Sequence, residues 1–311
     1  MVWPQRLVAA VSLLSSGLAF AGLGSNASGS DEHSVYRATG RGFGAVDTRP
    51  FASFRAAVAG ATTGQNGIAY HGGPLMTNAT NIYLIWYGDW TSSAKTKQVL
   101  TSFGTSLTGS TLYNTNSSYT DSSKRKVQNI VQLVSQSSDN YSQGKALSDY
   151  GVAMVVYSAM NAGKLPKDQN GVYFVLSSPD VTETSGFGTR YCGWHSYFTV
   201  GSAAYKFSFV GNAVKIAPSA CGVRPVSPNG DPAGDAMASI LFHELSETVT
   251  DPMLNAWYDT NGQENGDKCA WKYGTTFTVS GATANVKLGG KNWLIQQNWL
   301  NTGGGSCSSS Y

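Results

Sequence analysis

Residues 242 to 252 read FHELSETVTDP. On any helix through this stretch His243 and Glu247 stand one turn apart, the spacing that lets an imidazole nitrogen and a carboxylate oxygen reach one zinc ion. Glu244 then supplies a general base for a metal-bound water. The stretch nearly spells the zinc-protease pattern H-E-x-x-H, with glutamate in place of the second histidine. With His243 set at zero on a wheel of about 100° per residue, Glu247 falls near 40°, Asp251 near 80° and Glu244 near 100°. Ala238, Leu241, Phe242, Leu245 and Val249 fall on the opposing arc and form a buried stripe. Ile240 alone intrudes on the polar side. The polar arc is therefore expected to face solvent, either as a site or as an amphipathic helix face that happens to carry one His and two Glu. Asp251 precedes Pro252, which biases it away from α geometry and ends the predicted helix near Thr250.

The following segment, LNAWYDTNGQENGDKCAW, adds Asp259, Glu264 and Asp267 on a loop that can return to the helix, with Cys269 available to tether it. A zinc site drawing on His243, Glu247, Glu264 and Asp267 is one reading of these donors. A calcium loop through Asp259, Asn261 and Glu264 is the other, although glycine stands at the fourth position and not the sixth as in an EF-hand.

The elements that must position these groups are those of an α/β domain. IYLIWYGDW, from Ile82, is continuously apolar and predicts a strand buried on both faces, and SSAKTKQVLTSFGTSL predicts a helix. KRKVQNIVQLVSQ is read as a second helix, and YGVAMVVYSAM and GVYFVLSSPDV as two further buried strands. HSYFTV and YKFSFVGN suggest an antiparallel pair. The motif helix is expected from about Asp235, and FTVSGATANVKLGGKNWLIQQNW reads as short strands joined by Gly-rich turns. The prediction is a mixed central sheet packed by helices, the H-E-x-x-E helix among them, an arrangement compatible with a zincin-like fold.

The 311-residue chain opens with MVWPQRLVAAVSLLSSGLAFA, in which Arg6, an apolar run over 7–14 and small residues at Ala19 and Ala21 give the form of a secretory signal, residues 1–21. Residues 22–65, which include His33, are rich in Gly, Ser and Ala and read as a flexible lead-in to a domain over 66–311. Cleavage after Ala21 lowers the formal net charge from +3 to +2. No other stretch has the roughly 18 apolar residues of a membrane span. Charged residues make up 13%, and KRK (124–126) is the one basic cluster, which argues against nucleic acid as a partner. Cys192, Cys221, Cys269 and Cys307 lack C-x-x-C spacing, so in an exported chain they favour two disulfides over thiolate zinc. Sequons begin at Asn26, Asn78, Asn116 and Asn140.

Taken together, YHGGPLMTNATNIYLIWYGDW (70–90), VYFVLSSPDV (172–181), YCGWHSYF (191–198), FVGN (209–212), PNGD (228–231), HELSE, LNAWYD, ENGDKC (264–269) and WLIQQNW (293–299) make the chain resemble the EXORDIUM, or phosphate-induced protein 1, family of secreted proteins. His243, Glu244, Glu247, Glu264 and Asp267 occupy matching positions. The resemblance implies an extracellular or cell-wall protein associated with growth and cell expansion, and supplies no established reaction. Where family members carry paired cysteines beside C-G-x-H and after V-G-N, this chain keeps one in each patch, which implies Cys192–Cys221 and leaves Cys269–Cys307. Within the matching blocks His71 and His195 are further candidates. His195 is the better third nitrogen ligand, because a disulfide at Cys192 holds its strand rigid. The expectation is thus an extracellular protein that contacts a wall component, with a metal or polar site at HELSE. The alternative is a secreted zinc hydrolase acting on peptides.

Overall fold

The computed structural model describes residues 43–45 and 67–311; residues 1–42 and 46–66, among them the expected signal segment 1–21, Asn26 and His33, lie outside the described residues. Strand β1 (Phe43–Ala45) and the short β2 (Ala69–Tyr70) precede β3 (Thr80–Tyr87), whose side chains are buried on both faces apart from a half-buried Asn81, as the unbroken apolar run predicts. Helix α1 (Ala94–Ser106) follows, as expected, and leads to β4 (Val131–Asp139).

Two elements differ from the sequence reading. The stretch expected as a second helix holds no helix: it ends in β4, an edge strand whose exposure alternates residue by residue. The apolar run expected as the next strand is instead α2 (Asp149–Asn161), which follows the two-residue β5 (Ala146–Leu147). Ser148 caps α2, its Oγ accepting the Gly151 N–H at 3.0 Å.

The chain continues through β6 (Gly171–Ser177), β7 (Thr182–Glu183), β8 (Tyr191–Val200) and β9 (Ala203–Val210). The main sheet has the order β1-β8-β9-β6-β3-β4. Strands β4, β3, β6 and β9 are parallel, while β8 and β1 add an antiparallel edge. It is therefore a mixed sheet, and three residues of the expected lead-in form its last strand. The connection β3–α1–β4 steps one way across the sheet and β4–α2–β6 steps back, so right-handed crossovers put α1 and α2 on opposite faces.

Helix α3 (Pro232–Thr250) lies with α1, against β8 and β9. It begins three residues before the expected start, because Asp231 Oδ1 accepts the Gly234 N–H at 2.6 Å and Pro232 takes the first helical position. It ends at Thr250, as the Asp-Pro step predicts. After β10 (Trp257–Tyr258), which pairs with β2, three hairpins complete the chain: β11 (Phe277–Val279) with β12 (Ala282–Ala284), β13 (Val286–Leu288) with β14 (Lys291–Trp293), and β15 (Asn298–Leu300) with β16 (Ser306–Ser308). Ser280-Gly281 and Gly289-Gly290 turn the first two, all four at positive φ, as tight hairpins require. No helix among the described residues is long and apolar enough to cross a membrane.

Candidate metal centre

Helix α3 is buried around its whole circumference, with Pro232 and Ala236 the exceptions. This corrects the solvated polar face expected of HELSE. The apolar stripe packs into the core as predicted, but the polar arc is covered too, by β8 on one side and by the loop after β10 on the other. The intruding Ile240 and Glu244 face β8 at Gly193, where a Cβ would lie 2.6 Å from Ile240 Cγ2 and 2.9 Å from Glu244 Oε1. The missing side chain at Gly193 is what lets helix and strand approach.

Along the next part of the same arc five side chains converge. Glu247 Oε1 lies 3.0 Å from His243 Nε2 and accepts the Asp267 backbone N–H at 3.0 Å. Asp267 Oδ1 stands 3.6 Å from His243 Nε2, and its Oδ2 accepts the Glu264 N–H at 3.2 Å. Across the site, His195 Nε2, from β8, is 3.0 Å from Glu264 Oε2 and 3.7 Å from Glu247 Oε2. The side chains of His195, His243, Glu247 and Glu264 are all 0% exposed. The donors fall into two groups, His195–Glu247–Glu264 and His243–Glu247–Asp267, each with its donor atoms within 4.8 Å of one another.

Several buried polar atoms here have no hydrogen-bond partner: Glu247 Oε2, Glu264 Oε1 and the Nδ1 atoms of both histidines, while His243 Nε2 approaches Glu247 Oε1 at 3.0 Å without hydrogen-bond geometry. Such atoms cost about 1–3 kcal/mol each when left unsatisfied in a dry interior. Zinc bonds of about 2.0–2.2 Å in a tetrahedron hold neighbouring donors about 3.3 Å apart. The observed separations of 3.0, 3.6 and 3.7 Å bracket that value. The residues thus fit a divalent metal in type, spacing and unsatisfied valence.

The electrostatics of the metal-free chain point the same way. Burial pushes the Glu264 carboxyl well above its ordinary range, with Asp251 and Glu247 adding to the effect. Burial and Glu247 raise Asp267 to about 7. Burial lowers His195 to about 4. For His243 burial acts downward, but Glu247 and Asp267 outweigh it and hold the ring well above 6.5. Burial acts upward on Glu247, and His243 reverses it to a net lowering. Ion-free, the cluster is a set of groups competing for too few protons, the situation that a bound cation relieves.

The remaining candidates have other tasks. Asp251 Oδ1 accepts the N–H groups of Asn255 and Ala256 at 2.5 and 2.6 Å, fixing the exit from α3. Asp259 Oδ1 accepts from Asn261 and Gln263 N–H, and its Oδ2 pairs with Lys268 Nζ at 3.1 Å, so its contacts hold a turn. The exposed His71 stacks on Tyr258 with ring centroids 3.7 Å apart. Asn78 and Asn140 are exposed, whereas Asn116 is fully buried with Asn298 donating to its Oδ1, which leaves no room for a glycan there in the folded chain.

Both implied disulfides are present, and each braces a segment that carries candidate donors. Cys192–Cys221 ties β8 three residues before His195, and Cys269–Cys307 ties the loop two residues after Asp267. Two residues that shape the site escaped the sequence reading. Gly266 sits where a Cβ would come within 2.9 Å of Glu247 Oε1 and the His243 ring. The buried Asn265 donates to Ser246 O and Thr250 Oγ1, pinning the loop to α3. The Asn-Gly step between Glu264 and Asp267 was the available signal, a close-packed turn between two acidic residues.

Comparison with known proteins agrees with the family suggested by the sequence blocks. The phosphate-induced protein 1 conserved region matches residues 68–292. Protein EXORDIUM-like 3 of Arabidopsis thaliana is 33% identical over 273 residues, covering 75% of this chain and 80% of the relative. Protein EXORDIUM-like 5 of the same plant is 32% identical over 277 residues, covering 75% of each. Protein PHOSPHATE-INDUCED 1 of Nicotiana tabacum is 26% identical over 219 residues, covering 61% and 67%. No solved structure matches the chain, so a zincin-like arrangement gains no support from that comparison. The chain belongs to the phosphate-induced protein 1, or EXORDIUM-like, family.

Proposed function

We propose that this chain is an exported, growth-associated protein of the extracellular space or cell wall, built around a buried structural metal centre with zinc as the first candidate. The observation that carries the metal is the cluster of donor atoms, all but those of Asp267 on fully buried side chains, spaced as ligands and short of hydrogen bonds. Imidazole donors favour zinc or another transition metal over calcium. Export is supported by the signal-like leader and by two disulfides, which persist in oxidising compartments. The association with growth rests on the family resemblance alone.

A structural centre accounts for the site better than a hydrolytic one. A catalytic zinc keeps a ligand position open to water and substrate. Here His195, His243, Glu244, Glu247 and Glu264 are enclosed and only the Asp267 side chain reaches the surface, at 7% exposure, while the cavity beside Trp271 and the cleft beside Trp90 are lined by none of them. The peptidase reading, with Glu244 as general base, therefore gains no support from this geometry.

The test is elemental analysis of protein purified from the medium of a secreting host, with N-terminal sequencing of the same material. At least one equivalent of transition metal per chain and an N-terminus near Gly22 are expected. Metal-free, fully folded protein overturns the centre, and an intact Met1 on exported material overturns the signal. Glu244→Gln is expected to keep the metal.

A further inference from the structure

We infer that the centre holds two divalent ions, bridged by Glu247. This inference rests on the metal reading above and adds its nuclearity. Donors that share one zinc at about 2.0–2.2 Å lie at most about 4.4 Å apart. Within each group the donor atoms lie within 4.8 Å of one another, but the two groups meet only at Glu247. One ion cannot gather both groups as they stand.

Glu247 has the geometry of a bridging ligand. Its Oε1 faces His243 Nε2 at 3.0 Å, and its Oε2 faces His195 Nε2 at 3.7 Å. Each oxygen therefore addresses a different imidazole, and each imidazole brings a carboxylate of its own: Asp267 for His243, Glu264 for His195. The result is two matched half-sites, each with one histidine, one terminal carboxylate and one oxygen of the shared glutamate. A carboxylate bridging two metals through its two oxygens sets them about 3.5–4 Å apart, the separation of two-metal centres in general.

The atoms left without hydrogen bonds support the same division. Glu247 Oε2 and Glu264 Oε1 are unsatisfied on the His195 side, and on the other His243 Nε2 lies 3.0 Å from Glu247 Oε1 without hydrogen-bond geometry. A single ion in either half-site leaves unsatisfied donors buried in the opposite half. Ions in both relieve them together. With three carboxylates and two neutral imidazoles, two dications leave one positive charge, and the buried Glu244 and Asp251 carboxylates lie beside the cluster.

The experiment uses protein secreted into medium supplemented with Mn2+, with metal content measured by mass spectrometry of the ashed sample and the ions examined by electron paramagnetic resonance. Two equivalents per chain with an exchange-coupled signal are expected in the wild type. His195→Ala and His243→Ala should each drop the content to one equivalent and restore the six-line signal of isolated Mn2+. Glu247→Gln should abolish the coupling. One equivalent in the wild type, or two equivalents without coupling, overturns the bridged pair while leaving a metal centre standing. No bound metal, with Mn2+ or with zinc, overturns both. The wild-type measurement decides the matter even where a variant fails to fold.

Discussion

Where α3 crosses β8, a single hydrogen atom at Gly193 sets the distance between the motif helix and the strand that carries His195. An added methyl would meet Ile240 Cγ2 at 2.6 Å and the backbone oxygen of Phe209 at 2.8 Å, and the backbone neighbour has nowhere to go. Gly193→Ala is therefore expected to destabilise the protein by about 1–3 kcal/mol, the usual cost of overpacking, read as a lower urea midpoint at unchanged slope. A second residue-scale expectation concerns Glu183, buried beside Asp149, Ser185 and Tyr191. Burial and the Asp149 carboxyl raise its pKa from 4.5 to about 8. The folded state then holds a proton that the unfolded chain releases above about 4.5, so the stabilisation is complete below that pH and is lost as pH rises through about 8. Denaturation midpoints measured across this window should fall with pH, and Glu183→Gln should flatten the fall. At this scale much of the candidate donor cluster was legible. His243 and Glu247 follow from helical spacing, and Glu264 and Asp267 from a short acidic loop nearby. His195 arrives from 48 positions upstream on another element, a pairing that no local period reveals, and it entered only through the family blocks.

The elements were read correctly where pattern and length agreed. Strands β3 and β6 are continuous apolar runs of strand length, and the Gly-rich C-terminal turns named their hairpins. Two misreadings came from conflicts between those signals. Val127, Ile130, Val131 and Val134 recur at helical spacing, yet β4 pairs at the sheet edge, where one half-covered face makes β-branched residues comfortable and alternation decides the burial. The α2 run was apolar enough for a buried strand, but Asp149–Asn161 spans thirteen residues behind a Ser148 cap, and both features mark a helix. The loop between β10 and β11 owes its position to Cys269–Cys307, which closes a separation of 38 residues. Replacing both cysteines by serine should cost about 2–4 kcal/mol of stability, by release of the unfolded-state constraint. Because Asp267 stands two residues from the bridge, the same variant should also lose metal more readily to a chelator. Unchanged metal retention would mean that the Asn265 bonds to Ser246 and Thr250 hold the loop unaided.

At the scale of the molecule, the feature least legible in the sequence was that the polar arc of HELSE faces inward. An arc of His and Glu opposite an apolar stripe has the pattern of a surface helix. The reversal depends on β8, α1 and the loop around Gly266 closing over α3 from different sides, a tertiary fact. Its consequence is that the apolar core and the candidate donor cluster share one helix, so the proposed metal and the fold would be linked. A ligand bound only by the native state adds about 4 kcal/mol when present at a thousandfold excess over its dissociation constant. For a chain of this size that corresponds to a melting temperature higher by on the order of 10 °C. Prolonged treatment with a strong chelator, disulfides intact, should lower the melting temperature by that order, and readdition of zinc should restore it. The loss should appear as a shift of one cooperative transition, because α3 packs against α1, β8 and β9 together and cannot loosen alone. An unshifted transition in protein shown to have lost its metal would separate the ions from the fold and return the buried carboxylates to being held by protons alone.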